Sequence, residues 1–187
     1  MDYFDEQTFK KVDYKSKKII GEFEFCSFRE CNLSGSDISE TIFIDTEFVD
    51  CNFSNANVKK ASFQDVKFVN CKLLGLQFST INSFSFSASF ESCNLSHSSF
   101  NKMKLGRIYF TDCHLNEVDF AEAEMQNIIL KNCDLLGAIF EQTNLEKADF
   151  RNAVNYSIDP ENNKLKGAKF SLPDVISLLA KYNLDIE

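Results

Sequence analysis

A six-residue phrase recurs about every 20 residues in this chain of 187 residues and constrains its fold more than any other feature. The phrase begins with Phe, has Cys at its fourth position and ends with Leu or Phe. Copies begin at Phe28, Phe48, Phe68, Phe90 and Phe110, with one interval of 22 residues and the others of 20. A fixed period of this length is typical of repeat architectures, in which each unit buries its apolar face by stacking on the next.

A shorter period of five residues lies inside the longer one. Large apolar residues occupy every fifth position in the series Phe28, Leu33, Ile38, Phe43, Phe48, Phe53, Val58, Phe63, Phe68, Leu73 and Phe78, which resumes after a slip at Phe90. Neither an α-helix nor a β-strand buries every fifth side chain, because their side-chain periods are about 3.6 and 2. A chain that turns a corner every five residues can bury every fifth side chain, and four such five-residue sides close a square coil.

Stacked square coils would align equivalent residues in ladders about 4.8 Å apart. One ladder is nearly all Phe, and another contains Cys31, Cys51, Cys71, Cys93, Cys113 and Cys133. The corner before the cysteines carries Glu30, Asp50, Asn70, Ser92, Asp112, Asn132 and Asn152. Short polar side chains suit tight turns, so the sequence predicts a turn at each of these positions.

Six of the seven cysteines follow the 20-residue repeat, the seventh, Cys26, lies five residues before the first of them, and none forms a CxxC pair. A free Cys packs as a small hydrophobic residue, so we expect buried, reduced thiols and no metal site. The chain starts without a basic and apolar leader, and thiols stay reduced in the cytosol. These features predict a cytoplasmic protein.

The triplets Cys31-Asn32-Leu33, Cys51-Asn52-Phe53, Cys133-Asp134-Leu135 and Ala148-Asp149-Phe150 resemble the motif of the pentapeptide-repeat family, Ala-(Asp/Asn)-Leu-x-x. The resemblance implies an all-β solenoid, a right-handed quadrilateral β-helix with a short C-terminal α-helix. We therefore expect an N-terminal cap at residues 1–22, the β-helix at 23–170, and a capping or dimerising segment at 171–187. The frame slip near residues 79–89 predicts either a bulge that preserves the stacking or a protrusion for a partner.

The C-terminal segment carries a helix signal. Ser171 is a candidate N-cap and Pro173 falls in the first turn. The apolar face of this helix consists of Leu172, Val175, Ile176, Leu178 and Leu179. We expect it to dock on the last coil, on a second subunit, or on both, and we expect residues 182–187 to run extended.

The net charge of −8 is unevenly distributed. Residues 19–58 hold eight acidic and one basic side chain, and residues 110–150 hold nine and two. Residues 59–109 hold two acidic and seven basic side chains. In the repeat frame, the acids that project from two adjacent sides are Asp37, Glu40, Asp119, Glu122, Glu124, Glu141 and Glu146. Such surfaces repel nucleic acid and attract protein grooves built to hold it, so these acids are the candidate partner-binding residues.

The C-terminal segment and the cysteine-rich repeat are similar to the quinolone-resistance (Qnr-type) and microcin-immunity branches of the family. This similarity implies a homodimer formed through the C-terminal helix. It also implies a DNA mimic that binds DNA gyrase or topoisomerase IV and protects it from quinolones or a peptide toxin. Unlike many Qnr-type proteins, this chain has no long projecting loop. The alternative is a scaffold or regulatory module with another protein partner.

Candidate catalytic groups are sparse in the sequence. The two histidines, His97 and His114, lie 17 residues apart without a partner set for a metal or a nucleophile triad. The six glycines occur singly rather than in a phosphate-binding loop. The sequence therefore predicts a binding protein without catalytic residues, cofactor, nucleic-acid ligand or membrane role.

Overall fold

Each five-residue step of the sequence forms one side of a four-sided coil. The computed structural model describes residues 1–185, which form a parallel β-solenoid as predicted. The strands are β1 (Tyr3–Asp5), β2 (Thr8–Lys10), β3 (Glu22–Glu24), β4 (Ser27–Arg29), β5 (Ile42–Ile44), β6 (Glu47–Val49), β7 (Ser62–Gln64), β8 (Val66–Val69), β9 (Ala88–Glu91), β10 (Ile108–Thr111) and β11 (Leu130–Lys131).

Four sides run along the stack, and each is defined here by its buried residues. Side 1 carries Phe23, Phe43 and Phe63 and, after the slip, Leu105, Met125 and Leu145. Side 2 carries Phe28, Phe48, Phe68, Phe90, Phe110 and Leu130. Side 3 carries Leu33, Phe53, Leu73, Leu95, Leu115 and Leu135, and side 4 carries Ile38, Val58, Phe78, Phe100, Phe120 and Phe140. Side 1 contains the four-stranded sheet β1-β3-β5-β7, and side 2 contains the seven-stranded sheet β2-β4-β6-β8-β9-β10-β11. Isolated parallel bridges connect the coils on sides 3 and 4 and, in the C-terminal coils, on sides 1 and 2.

The interior is made of aromatic ladders. Phe68 and Phe90 stack with their ring centroids 5.1 Å apart and their planes 4° from parallel, and Phe90 stacks on Phe110 at the same distance. Rings on neighbouring sides meet edge to face, as Phe100 does with Phe110. Both arrangements are favourable for aromatic pairs, so one ladder supports the next around the coil.

The corners adopt a conformation that is uncommon for residues other than Gly. All seven predicted turn residues have positive φ, from 52° at Asn70 to 66° at Asn152. The left-handed region costs about 1–2 kcal/mol per residue. Backbone hydrogen bonds between coils offset this cost; for example, the Glu30 N–H donates to the Val49 carbonyl at 2.9 Å. The turn prediction is confirmed.

The predicted burial of the cysteines is also confirmed, because all seven thiols are buried and none forms a disulfide. The Cys51 thiol donates to the Phe28 carbonyl at 3.4 Å, and Cys71 donates to Phe48 in the same way. Burial raises the pKa of the Cys31 thiol. The thiols therefore fill narrow space between coils and satisfy carbonyl groups there.

The N-terminal segment differs from the expected cap. Residues 3–20 form one more coil, in which β1 pairs with β3 and β2 with β4, and Asp13 and Lys18 bridge to the next coil. Phe4, Phe9, Tyr14 and Ile19 keep the five-residue spacing and pack against the core. The solenoid therefore begins before the predicted boundary at residue 22, and the Lys-rich sequence of this coil hides the repeat.

The C-terminal helix is present but is a 3-10 helix, Asp174–Tyr182, rather than an α-helix. Its Ile176 N–H donates to the Pro173 carbonyl at 3.0 Å. An α-helix of nine residues is marginal on its own, although a 3-10 helix of this length is longer than usual. Ser171 is not the N-cap as predicted, because Pro173 takes that position and no side chain caps the helix. The chain turns at Asn183, with φ of 48°, instead of running extended; residues 186–187 lie outside the described range.

The frame slip leaves the stacking intact. A 3-10 turn, Phe78–Thr80, begins the slip, and β8 still pairs with β9 so that Phe68 lies opposite Phe90. Phe86 is buried and contacts Phe78 at a centroid distance of 6.2 Å, whereas Phe84 is 81% exposed. The slip is therefore a bulge within a continuous stack, and one aromatic side chain projects from it.

Candidate protein-interaction surface

Five of the seven predicted acids lie together in two neighbouring coils. Asp119, Glu122 and Glu141 belong to side 4 and its corner, and Glu124 and Glu146 belong to side 1. The Glu122 N–H donates to the Glu141 carbonyl at 2.7 Å, which places one coil directly on the other. These five residues are called the acidic sector.

The carboxylates of the acidic sector differ in their partners. Glu122 is 3.4 Å from the Lys102 ammonium, and Glu124 accepts a hydrogen bond from Asn144 at 3.0 Å. Within residues 1–185, no ion pair or side-chain hydrogen bond involves the carboxylates of Glu141 and Glu146. These two charges are therefore the ones most available to a partner.

Asp37 and Glu40 lie apart from the acidic sector. Asp37 and Asp119 belong to the same outward ladder of side 4, but Asn57, Gln77 and Ser99 separate them. Four coil steps correspond to about 19 Å. Glu40 is 3.7 Å from the Lys60 ammonium, and hydrogen bonds from Ser39 lower the pKa of Asp37. The structure thus brings together five of the predicted acids and leaves the other two near the opposite end.

The structure divides the predicted dimerisation residues into two groups. Leu178 packs against the core and Val175 is half-buried. Leu172, Ile176 and Leu179 are 80%, 41% and 40% exposed. Tyr182 and Leu184 are also exposed and were not in the predicted set. The helix therefore docks on the last coil and still presents an apolar outer face.

Polar contacts hold this helix in place. The Lys181 ammonium lies 2.6 Å from Asp159 and 2.8 Å from Glu161, and the Tyr182 hydroxyl donates to Glu161 at 2.7 Å. The hydrogen bond from Lys181 lowers the pKa of both carboxyl groups. This anchor is not predictable from the sequence pattern, because its acids lie about 20 residues before Lys181.

The two histidines lie on the surface. His97 occupies a left-handed corner with its Nδ1 3.2 Å from Glu117, and His114 points outward from side 3. No cluster of His, Cys, Asp and Glu suited to a metal ion occurs within residues 1–185. In the same range, no helix has the length and hydropathy needed to cross a bilayer.

Sequence reasoning missed an exposed aromatic and basic surface at the frame slip. Phe84 and Tyr109 are 81% and 59% exposed there, next to Lys104 and Arg107. A signal was present in the sequence, since Tyr109 occupies an outward position and the seven basic residues fall between the acid-rich segments.

The chain is similar to one protein family in sequence and to solved structures in fold. A family model described as "Pentapeptide repeat region" matches residues 21–87 and 83–154. The solved structure of trypsin-treated QnrB1, a plasmid-mediated fluoroquinolone resistance protein, is 17% identical, with a TM-score of 0.57 over 97% of this chain and 99% of that one.

Two further structures are less similar. HetL, a pentapeptide repeat protein involved in heterocyst differentiation regulation from the cyanobacterium Nostoc sp. strain PCC 7120, is 14% identical, with a TM-score of 0.44 over 89% of this chain and 86% of that one. Full-length QnrB1 is 18% identical, with a TM-score of 0.42 over 97% and 100% of the two chains. Comparison with curated protein sequences gave no match.

Proposed function

Because this chain belongs to the pentapeptide-repeat family, we propose that it is a non-catalytic protein that binds a type II topoisomerase. The target would be DNA gyrase or topoisomerase IV. The protein would occupy the DNA-binding surface of the enzyme and protect it from quinolones or a peptide toxin.

The acidic sector carries this proposal. Its five carboxylates project from adjacent sides of a rod whose fold is similar to that of a fluoroquinolone resistance protein. A surface of one charge sign attracts a complementary groove and speeds the encounter. The grooves that topoisomerases use for DNA are the complementary surfaces that we propose.

A supercoiling assay with and without a quinolone tests the proposal. We expect the protein to compete with DNA for gyrase and to restore supercoiling that the drug has inhibited. The double variant Glu141→Gln/Glu146→Gln should lose most of this effect, because it removes two charges without breaking an ion pair. The matched control Glu6→Gln/Glu22→Gln removes the same charge from the other end of the rod and, within residues 1–185, also breaks no ion pair.

No protection by the native protein, even at about a hundredfold molar excess over gyrase, would refute the topoisomerase role. Equal losses in the two double variants would show that total charge matters and the acidic sector does not.

We also propose that the protein is a cytoplasmic homodimer joined through the exposed face of the C-terminal helix. Leu172, Ile176 and Leu179 supply the apolar contact. A twofold axis there would place both acidic sectors toward the middle of the assembly. Seven free thiols support a cytoplasmic location, because thiols stay reduced in the cytosol.

One observation favours a second candidate function, a scaffold or regulatory module with a different protein partner. Lysines lie next to acids at the corner between sides 4 and 1, where Glu40 pairs with Lys60 and Lys102 pairs with Glu122. A surface of mixed charge resembles duplex DNA less than a continuous acidic stripe would. A pull-down from cells in which gyrase is absent from the eluate and another protein is enriched would favour this module.

A further inference from the structure

The frame slip opens a recess on the edge between sides 1 and 2. A cavity of about 360 Å³ is lined by Ser83, Ser85, Phe86, Lys104, Gly106 and Arg107. A second cavity of about 270 Å³ lies next to it, and Arg107 lines both. The rest of the second cavity is lined by Asp65, Val66, Ser87, Ala88, Ser89 and Tyr109. These two adjoining cavities are called the slip recess.

The recess exists because one corner departs from the regular coil. Asn127 and Lys147, at the equivalent corner of the following coils, have φ of 61° and 58°, whereas Arg107 does not have positive φ. A Cβ atom added at Gly106 would meet no atom within 4 Å. The coil is therefore looser at Gly106 and Arg107 than at the corners stacked below it.

This loose corner leaves hydrogen-bond donors without acceptors. The Asn127 N–H donates to the Glu146 carbonyl at 3.0 Å, but within residues 1–185 the equivalent Arg107 N–H has no such acceptor. The Gly106 N–H has none in this range either, as is also the case for the equivalent Gln126. Neighbouring backbone N–H groups in a turn form a concave site suited to an anion. The two donors lie beside two cationic side chains.

The charges of the recess are also unpaired. Lys60, Lys67 and Lys102 form ion pairs with acids of neighbouring coils. Within the described residues, Lys104 and Arg107 form none. An arginine guanidinium is well shaped to bind a carboxylate through two hydrogen bonds. Asp65 lines the second cavity, but its carboxylate accepts a hydrogen bond from Ser87 at 2.9 Å and forms no ion pair with Arg107. Among the described residues, the first cavity has no acidic lining residue, so Lys104 and Arg107 present two cationic groups there without a paired carboxylate.

Two aromatic rings flank the cationic groups. Phe84 lies between the lining residues Ser83 and Ser85, and its ring is 81% exposed. Its backbone N–H donates to the Asn82 side chain at 3.2 Å, which fixes the chain that carries the ring. Tyr109 flanks the other side of Arg107 and is 59% exposed. Exposed aromatic and arginine side chains are typical anchors of protein interfaces.

We propose that the slip recess binds a short peptide segment of a partner protein, in which an acidic residue neighbours a large apolar residue. The carboxylate binds Arg107, Lys104 and the free N–H groups, and the apolar side chain packs on Phe84 or Tyr109. A nucleic acid is disfavoured because the acid-rich segments on both sides of the recess repel an extended phosphate chain. A peptide of a few residues fits between them.

Fluorescence anisotropy with the full-length protein tests the proposal. The probe is a fluorescein-labelled eight-residue peptide with Glu-Phe-Glu-Leu at its centre. Peptides with Gln-Phe-Gln-Leu and Glu-Ser-Glu-Ser at the centre remove the charge and the apolar groups separately. A labelled oligo-dT of similar charge is the nucleic-acid arm. We expect saturable binding of the first peptide and at least about tenfold weaker binding of the other three probes.

Matched variants locate the site. Lys104→Gln/Arg107→Gln should weaken binding of the first peptide by about tenfold or more, and Phe84→Ser should weaken it as well. The control Lys59→Gln/Lys72→Gln removes the same charge from sides 4 and 3 and should leave binding unchanged. All these side chains are exposed, and circular dichroism checks that each variant is folded.

Three results would overturn the proposal. The first is no saturable binding of the first peptide. The second is equal weakening of peptide binding by Lys104→Gln/Arg107→Gln and by the control Lys59→Gln/Lys72→Gln. The third is binding of oligo-dT as tight as that of the first peptide. None of them bears on the gyrase assay, which depends on the acidic sector.

Discussion

At the scale of single residues, stability depends on side chains that meet their equivalents one coil away. Phe110 stacks on Phe90 at 5.1 Å and meets Phe100 and Phe120 edge to face at 5.8 and 6.2 Å. The five-residue period predicted that Phe110 is buried, and its exposure of 1% confirms it. The identity of its neighbours followed from the 20-residue period.

The substitution Phe110→Ala should lower the free energy of unfolding by about 3–5 kcal/mol, because it leaves a cavity and removes three aromatic contacts. Chemical denaturation measures the change. Tyr109→Ala is the matched control, and it should cost less than about 1 kcal/mol because Tyr109 is exposed. Similar losses in the two variants would contradict a buried Phe ladder.

A second residue-scale prediction concerns Tyr156, whose buried hydroxyl has no hydrogen-bond partner within residues 1–185. Burial raises its pKa to about 12. A raised pKa in the folded state means that stability is fully present below the unfolded pKa, near 10, and is lost as pH rises toward 12. Burial also raises the pKa of the Cys31 thiol, so this group likewise makes the protein less stable as the pH rises, beginning at a lower pH than Tyr156.

The variant Tyr156→Phe should therefore lose less stability between pH 10 and pH 12 than the native protein. At pH 7 it should be as stable or more stable by about 1 kcal/mol, since an unsatisfied hydroxyl is removed. Urea denaturation at several pH values measures both effects. An unchanged alkaline loss would show that Tyr156 is not the titrating group.

At the scale of elements, the C-terminal helix packs on the core with one set of side chains and exposes another set on its outer face. Leu178 faces the core, whereas Ile176 and Leu179 face outward. The sequence predicted the apolar face but could not divide it, because the division depends on how the helix sits on the last coil. The Lys181 contacts with Asp159 and Glu161 fix that placement.

Replacing Ile176 and Leu179 with Asp should convert a dimer into a monomer without unfolding the coils, because both side chains are exposed in the single subunit. Light scattering measures the mass, and circular dichroism checks the fold. Leu178→Asp is the contrasting variant and should destabilise the subunit, since it buries a charge against the core. If the native protein is already a monomer, the dimer proposal is wrong and the helix serves only as an end cap.

At the scale of the whole molecule, the rod is a one-dimensional stack in which each coil contacts its neighbours. The first coil is joined to the rest by β1 and β2 and by stacking of Phe4 on Phe23 and Phe9 on Phe28. Charge varies along the same axis, with acid-rich segments on both sides of a basic middle.

Removal of residues 1–20 should leave the remaining coils folded, because their contacts with each other are unchanged. We expect the same circular dichroism signal per residue and a lower melting temperature, because the interface with the first coil is lost. Removal of the C-terminal residues 171–187 is the control at the other end. A random-coil spectrum after the N-terminal deletion would show that the first coil is needed for folding of the stack.

The amino-acid sequence by itself determined the square coil, its ladders, the left-handed corners and the burial of the thiols. These follow from a local rule, one large apolar residue every five positions, which each side of the coil obeys separately. Only the tertiary structure decided which acids lie together, which face of the C-terminal helix stays exposed and where the slip recess opens. Those features depend on contacts between residues about 20 positions apart, and a shift of two residues at the slip changes which side chains meet.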